Sequence, residues 1–182
     1  LIASLLAVFE SDVKRVLAYS SLGQIGYITL GIGLANVPGL TGGIVHLFNH
    51  ALMKTALFLS LGAVVYRIGS IRLADLAGIG RRMPLTMAVF VIGGLSLIGV
   101  PGTAGFVSKW YLAMGAFERG WWPLVFLILV SSLIAVVYVG RVVETVSGQT
   151  LDAYMQEWIL EPLDMRQTTF APDDAQRARL TP

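Results

Sequence analysis

The apolar positions of the chain fall into long, nearly charge-free runs rather than into short alternating or two-faced segments. Leu1 to Phe9 is apolar but too short to cross ~30 Å of hydrocarbon. Val16 to Val45 then carries no formal charge over 30 residues, and Asn36, Pro38 and Gly39 interrupt it. This predicts a helix over 17–35, a tight turn, and a second helix over 41–66. A third apolar stretch, read as a span over 84–114, contains Gly99-Val100-Pro101-Gly102. A proline inside a helix removes a backbone donor and clashes with the preceding turn, so a helix broken at Pro101 is expected. At membrane depth such a break is tolerated only where neighbouring protein or a wet cavity satisfies the freed backbone. A fourth span, over 121–143, opens on Trp121 and Trp122, which suit an interfacial belt. The expected fold class is all-α: a polytopic transmembrane helix bundle fragment, its first helix truncated near Leu1, followed by a short soluble helical tail.

Composition supports this class and divides the chain. The sequence is 55% hydrophobic and 13% charged, against about a quarter charged in soluble domains. Residues 1–144 hold ten Lys/Arg and five Asp/Glu, whereas 145–182 hold three and six, so the two parts carry +5 and −3. With no Cys there is neither a disulfide framework nor a thiolate metal site. The basic residues form no stripe interleaved with aromatics, which argues against nucleic acid as a partner. They obey a membrane topology instead: Lys14, Arg15, Arg67, Arg72, Arg81, Arg82 and Arg141 fall on one side of the alternating spans, and Arg119 on the other. By the positive-inside rule the loops 10–15 and 67–83 and the tail are cytoplasmic, in an integral protein of a bacterial inner membrane. An all-α soluble core is the competing class, and uncharged runs of this length disfavour it.

Charge placement supplies the candidate chemistry. The chain has only three lysines, and Lys54 and Lys109 both lie within spans. His46, His50 and Lys54 recur every four residues, so on a helix they form one stripe drifting by ~40° per step. Ionisable groups at the bilayer centre cost about 2.5–3.5 kcal/mol each on insertion scales and commonly mark ion or proton relays. Imidazole and amine groups both exchange protons, and bridging water would link them. The plainer alternative has His46 and His50 hydrogen-bonding between helices while Lys54 snorkels to an interface. Lys54 lies about 12 residues from either end of its span, deep for snorkelling. Zinc is a weaker rival, because His-x3-His here lacks the Glu of a metalloprotease motif. Lys109 follows the Pro101 break by eight residues, and broken helices expose backbone ends that attract ions. Neither a metal nor a cofactor is expected. Tyr19, Ser20, Ser21 and Gln24 either line a water path or bind helices together. Gly31, Gly33, Gly93 and Gly94 fit close helix packing.

Three motifs in order carry a resemblance: Asp12-Val13-Lys14-Arg15-Val16-Leu17-Ala18-Tyr19-Ser20-Ser21-Leu22-Gly23-Gln24-Ile25-Gly26-Tyr27, then His46-x3-His50-Ala51-x2-Lys54-x2-Leu57-Phe58-Leu59, then Gly102-Thr103-Ala104-Gly105-Phe106-Val107-Ser108-Lys109-Trp110. Over 1–144 the chain resembles the proton-translocating antiporter-like subunits shared by respiratory complex I and the Mrp multisubunit Na+/H+ antiporters. Lys at position 109, within Phe-Val-Ser-Lys-Trp, is most similar to the Mrp antiporter branch. The resemblance implies proton translocation through His46, His50, Lys54 and Lys109 along a hydrated axis. It also implies H+ and Na+ as transported ions, other subunits of a hetero-oligomeric membrane complex as partners, and no enzyme activity of the chain alone. The earlier helices that carry the family's Glu and another Lys are not in the chain, so a partial subunit is expected. A proton-pumping subunit of an NADH-quinone oxidoreductase is the alternative within the family.

The tail points elsewhere. Leu151, Tyr154, Met155, Trp158 and Ile159 follow the spacing of an amphipathic helix that stops before Pro162. Ser147-Gly148-Gln149-Thr150-Leu151-Asp152-Ala153-Tyr154-Met155, Glu161-Pro162-Leu163-Asp164-Met165 and Thr168-Thr169-Phe170 resemble a segment of the serine beta-lactamase-related hydrolases, which usually have Gly where Asp164 stands. None of that family's catalytic motifs is present in 145–182. Ser11-Asp12-Val13-Lys14 does fit its S-x-x-K pattern, but in a loop the antiporter motifs already occupy. A membrane-anchored hydrolase and a nonfunctional chimera are therefore the readings from other classes.

Overall fold

The computed structural model describes residues 1–150 and, beyond them, Ala153, Gln156, Glu157, Glu161 and Asp164. The residues of the expected tail helix, Leu151, Tyr154, Met155, Trp158 and Ile159, lie outside the described set. Six α-helices follow one another: α1 (Ile2–Phe9), α2 (Val13–Gly33), α3 (Val37–Ile68), α4 (Pro84–Ile98), α5 (Ala104–Glu118) and α6 (Trp122–Ser147). Two 3-10 turns, Leu73–Leu76 and Ile79–Arg81, lie between α3 and α4. No strand occurs among the described residues, and the all-α bundle agrees with the sequence pattern.

Helix ends depart from expectation where capping overrides hydropathy. α2 begins four residues before the expected start, because the Asp12 side chain accepts from the Arg15 N–H. The expected turn through Gly39 is shorter: Asn36 accepts from the Gly39 N–H, and Pro38 and Gly39 sit in the first turn of α3. Proline is compatible there, since its missing N–H would have no helical partner. The left-handed turn falls on Ala35, at φ 49.

α3 and α6 are each long and apolar enough to cross a membrane by length and composition. The 21 residues of α2 extend about 31 Å, matching a ~30 Å hydrocarbon core. α4 and α5, of 15 residues each, extend only about 22 Å and are parted by Gly99–Thr103, so the break foreseen at Pro101 is present. A second bend, of 114°, separates the segment Leu73–Arg81 from α4.

The burial pattern is inverted relative to a water-soluble protein. Leu22, Phe48, Leu59, Phe126 and Leu133 are exposed, whereas Ser20, Gln24, His46, Lys54, Ser108 and Lys109 are buried. A bilayer explains both halves, because hydrocarbon welcomes the outer apolar groups and leaves the polar ones to find partners inside. α3 sits centrally and packs on α2, α4 and α5, while α6 closes the bundle against α1, α4 and α5. The α2–α3 contact is tight at Gly31, where a Cβ would stand 2.7 Å from the Gly43 Cα; Gly33 faces open space and plays no such part. Gly93 and Gly94 do pack closely, against Leu57 and Val139. The main apolar core gathers residues such as Leu57, Leu61, Phe90, Leu97 and Val142.

One end of the bundle collects the basic loops. Val13 N–H donates to the Ile71 carbonyl and Leu73 N–H to the Ser11 carbonyl, tying 10–15 to 67–83. Arg141 donates to the carbonyls of Val8 and Glu10 at that same end. At the α2–α3 turn, Arg119 donates to the Leu34 and Ala35 carbonyls, and Asn36 donates to the Gly115 carbonyl and to Glu118.

Candidate functional site

The broken helix creates the first half of the site. The carbonyl of Leu97 has Pro101 as its would-be helical partner four residues on, and proline has no N–H. Gly99 adopts φ 88, ending α4, and both Gly99 and Val100 N–H groups return to Leu95. The Leu97 and Ile98 carbonyls are left for Lys109, whose Nζ donates to them at 3.0 and 2.7 Å and to the Ser132 hydroxyl of α6 at 3.0 Å. Glycine at 99 serves twice: its φ suits only a residue without Cβ, and a Cβ would stand 3.0 Å from Lys109 Cδ. Lys109 is 6% exposed, and its ammonium lies 5.0 Å from the centre of the Tyr27 ring. The side chain turns back to the helix break.

α5 starts against α4. Gly105 N–H donates to Ser96 Oγ at 3.2 Å, and a Cβ on Gly105 would stand 1.8 Å from the Ser96 carbonyl oxygen. Asn49 of α3 holds the same start, donating to the Ala104 carbonyl at 2.7 Å.

Lys54 forms the other half. Its Nζ donates to the Leu17 carbonyl at 2.7 Å and to the Ser20 hydroxyl, so the ammonium is held against α2 and does not snorkel. The residue is 7% exposed. One turn along α2 from Ser20 stands Gln24, whose Oε1 faces His46 Nε2 at 2.9 Å. His46 is fully buried, and its Nδ1 is 2.8 Å from Ser108 Oγ on α5, the residue before Lys109. The Tyr27 ring packs edge-on to His46 at 5.2 Å between centres.

The four residues singled out in sequence therefore occupy distinct positions. His46 lies between Lys54 and Lys109 through partners on α2 and α5. His50 is parallel to His46, 6.4 Å away between ring centres, and its Nδ1 is buried without a hydrogen bond. Among the described residues no hydrogen bond runs down the α3 stripe from His46 to His50 to Lys54; Lys54 bonds Ser20 and His46 bonds Gln24, two separate contacts one turn apart on α2. Of the four polar residues noted on that helix, Ser21 bonds only its own helix, at Leu17, and Tyr19 packs against the apolar core.

His46 and Ser108 can exchange a proton across their hydrogen bond. With an amide oxygen at Nε2, that nitrogen carries the ring proton and Nδ1 of the neutral ring accepts from Ser108. A proton arriving at Nδ1 reverses the bond, and the Ser108 hydroxyl then donates to the Gly105 carbonyl, 3.1 Å away. Among the described residues no three His, Cys, Asp or Glu side chains converge as metal ligands. Ser11 and Lys14 are both exposed, with no hydrogen bond between them among those described.

Residues 1–135 match the family described as NADH:quinone oxidoreductase/Mrp antiporter, TM. The NADH-quinone oxidoreductase subunit N of Desulforudis audaxviator is 47% identical over 144 residues, covering 79% of this chain and 29% of that protein. The F(420)H(2) dehydrogenase subunit L of Methanosarcina mazei is 38% identical over 157 residues, covering 79% and 23%. In the solved Mrp complex from Dietzia sp. DQ12-45-1b, a chain 36% identical superposes with a TM-score of 0.78 over 80% of this chain and 27% of its own length. The chain thus spans less than a third of these relatives. Residues 130–182 match a second family, Beta-lactamase, in agreement with the resemblance of the tail.

Proposed function

The chain belongs to the NADH:quinone oxidoreductase/Mrp antiporter transmembrane family, and on that premise we propose that it is part of a subunit that conducts protons through Lys54, His46 and Lys109, with His50 beside them, in exchange for a monovalent cation such as Na+. The observation that carries this reading is a pair of buried ammonium groups with one buried histidine between them: Lys54 bonds Ser20, one turn from the Gln24 that bonds His46, and His46 bonds Ser108, the residue preceding Lys109. Ionisable residues inside a membrane bundle are costly and mark ion or proton paths. Charge on one lysine disfavours charge on the next, so a proton leaving one favours protonation of the other.

A subunit of this kind works with other subunits of a hetero-oligomeric membrane complex and is not an enzyme alone. The basic end of the bundle, with loops 10–15 and 67–83, faces the cytoplasm of a bacterial inner membrane, and so does the tail. Residues 145–182 are a segment of separate origin, which their acidic balance and their match to another family support. A second reading, a proton-pumping membrane subunit of a quinone oxidoreductase, is favoured by the 47% identical relative and uses the same residues. In a complete subunit carrying this sequence, Lys54→Ala and Lys109→Ala should each abolish proton translocation in proteoliposomes while the complex still assembles. Wild-type flux in either variant removes that lysine from the path.

A further inference from the structure

The oxygens around Lys109 are arranged by elements other than the helix that bears it. Two are the Leu97 and Ile98 carbonyls at the end of α4, and the third is the Ser132 hydroxyl of α6. Proline at 101 and the reversal at Gly99 leave those carbonyls without helical partners, at the negative end of the α4 dipole. The triad therefore does not depend on the lysine, whose ammonium is its occupant on a flexible tether. Carbonyl and hydroxyl oxygens at broken helix ends replace the hydration shell of monovalent cations in membrane proteins, and nothing in this triad selects nitrogen. The Tyr27 ring 5.0 Å from Nζ attracts either kind of cation.

We infer that the Leu97, Ile98 and Ser132 oxygens form a Na+-class cation site that the Lys109 ammonium and the ion occupy in alternation. This deepens the proposed function and rests on its claim that Lys109 exchanges a proton. The exchange balances: an N–H bond of the ammonium breaks, the electron pair stays on nitrogen, the proton leaves along the path, and one cation enters as the amine withdraws. The site holds a single positive charge before and after. Two charges there would repel in a desolvated setting, so occupancy is exclusive and cation entry expels a proton. Among the described residues the titratable groups shown beside the site are Tyr27 from α2 and His46 from α3, and neither is a carboxylate that would neutralise a second cation.

The test uses the complete subunit in its complex, purified in weakly buffered detergent solution, with NaCl as probe and choline chloride as control. NaCl should release protons saturably from the wild type, read with a pH dye, and Ser132→Ala should raise the half-saturating NaCl roughly tenfold for one lost ligand. Lys109→Met should bind 22Na+ with no linked proton release; if it does not assemble, the wild type and Ser132→Ala decide the matter. Wild-type protein that translocates protons yet shows no Na+-linked release overturns the cation site and leaves the proton path standing. Release that is unchanged in Ser132→Ala places the ion elsewhere and also overturns it. Protein that neither translocates nor releases protons overturns the proposed function itself.

Discussion

Gly105→Ala makes the closest Cβ contact of the described glycines, at the start of α5. The added Cβ would stand 1.8 Å from the Ser96 carbonyl oxygen and 2.9 Å from its carbon. Ordinary contact begins at 3.4 Å, and 3.4 less 1.8 leaves about 1.6 Å for α5 to move away from α4. Both neighbours are backbone, so no side-chain rotation relieves the clash. Overpacking of this kind costs about 1–3 kcal/mol, which the bundle survives. The site is perturbed, because the backbone that carries Lys109 moves relative to the Leu97 and Ile98 carbonyls, and the 3.0 and 2.7 Å contacts must be re-formed from a displaced start. Proton flux in proteoliposomes containing the complete subunit should fall by at least tenfold, while native gels show an assembled complex. Gly33→Ala, where nothing lies within 4 Å, is the matched control and should be silent. Wild-type flux in Gly105→Ala would refute the claim that the α4–α5 approach positions Lys109.

Ser108→Ala leaves His46 Nδ1 buried without its 2.8 Å partner, and the resulting penalty of about 1–3 kcal/mol should lower flux by roughly tenfold or more. Intact assembly together with unchanged flux would show that Ser108 does not relay protons. Arg119→Ala releases the Leu34 and Ala35 carbonyls at the other end of the bundle and should lower Tm by about 3–6 °C without changing flux per assembled complex.

The helical class, the break at Pro101 and the burial of Lys54 were legible because each is a local property: run length, a missing N–H, and distance from a helix end. The match of the two lysines to their partners was not. Ser132 lies 23 residues from Lys109, and which face α6 turns to the break depends on packing that hydropathy does not encode. The four-residue spacing correctly placed His46 and Lys54 on an inward face, but it suggested a path down α3, whereas the hydrogen bonds cross to α2. Ser20 and Gln24 gave a weak sign, being polar in a charge-free run; their role emerges only when α3 lies against them. Capping explains the remaining shifts, since Asp12 and Asn36 extend α2 and α3 beyond their apolar cores.

His46 is the critical point of the proposed path, because its Nε2 donates to Gln24 on the Lys54 side and its Nδ1 bonds Ser108 on the Lys109 side. The decisive measurement is proton flux in proteoliposomes for His46→Leu in the complete subunit, normalised to assembled complex. Leucine fills similar space and keeps the helix while removing both nitrogens. The account predicts that flux is lost although Lys54 and Lys109 remain. Flux at the wild-type rate would contradict it and show that protons pass between the lysines by another route.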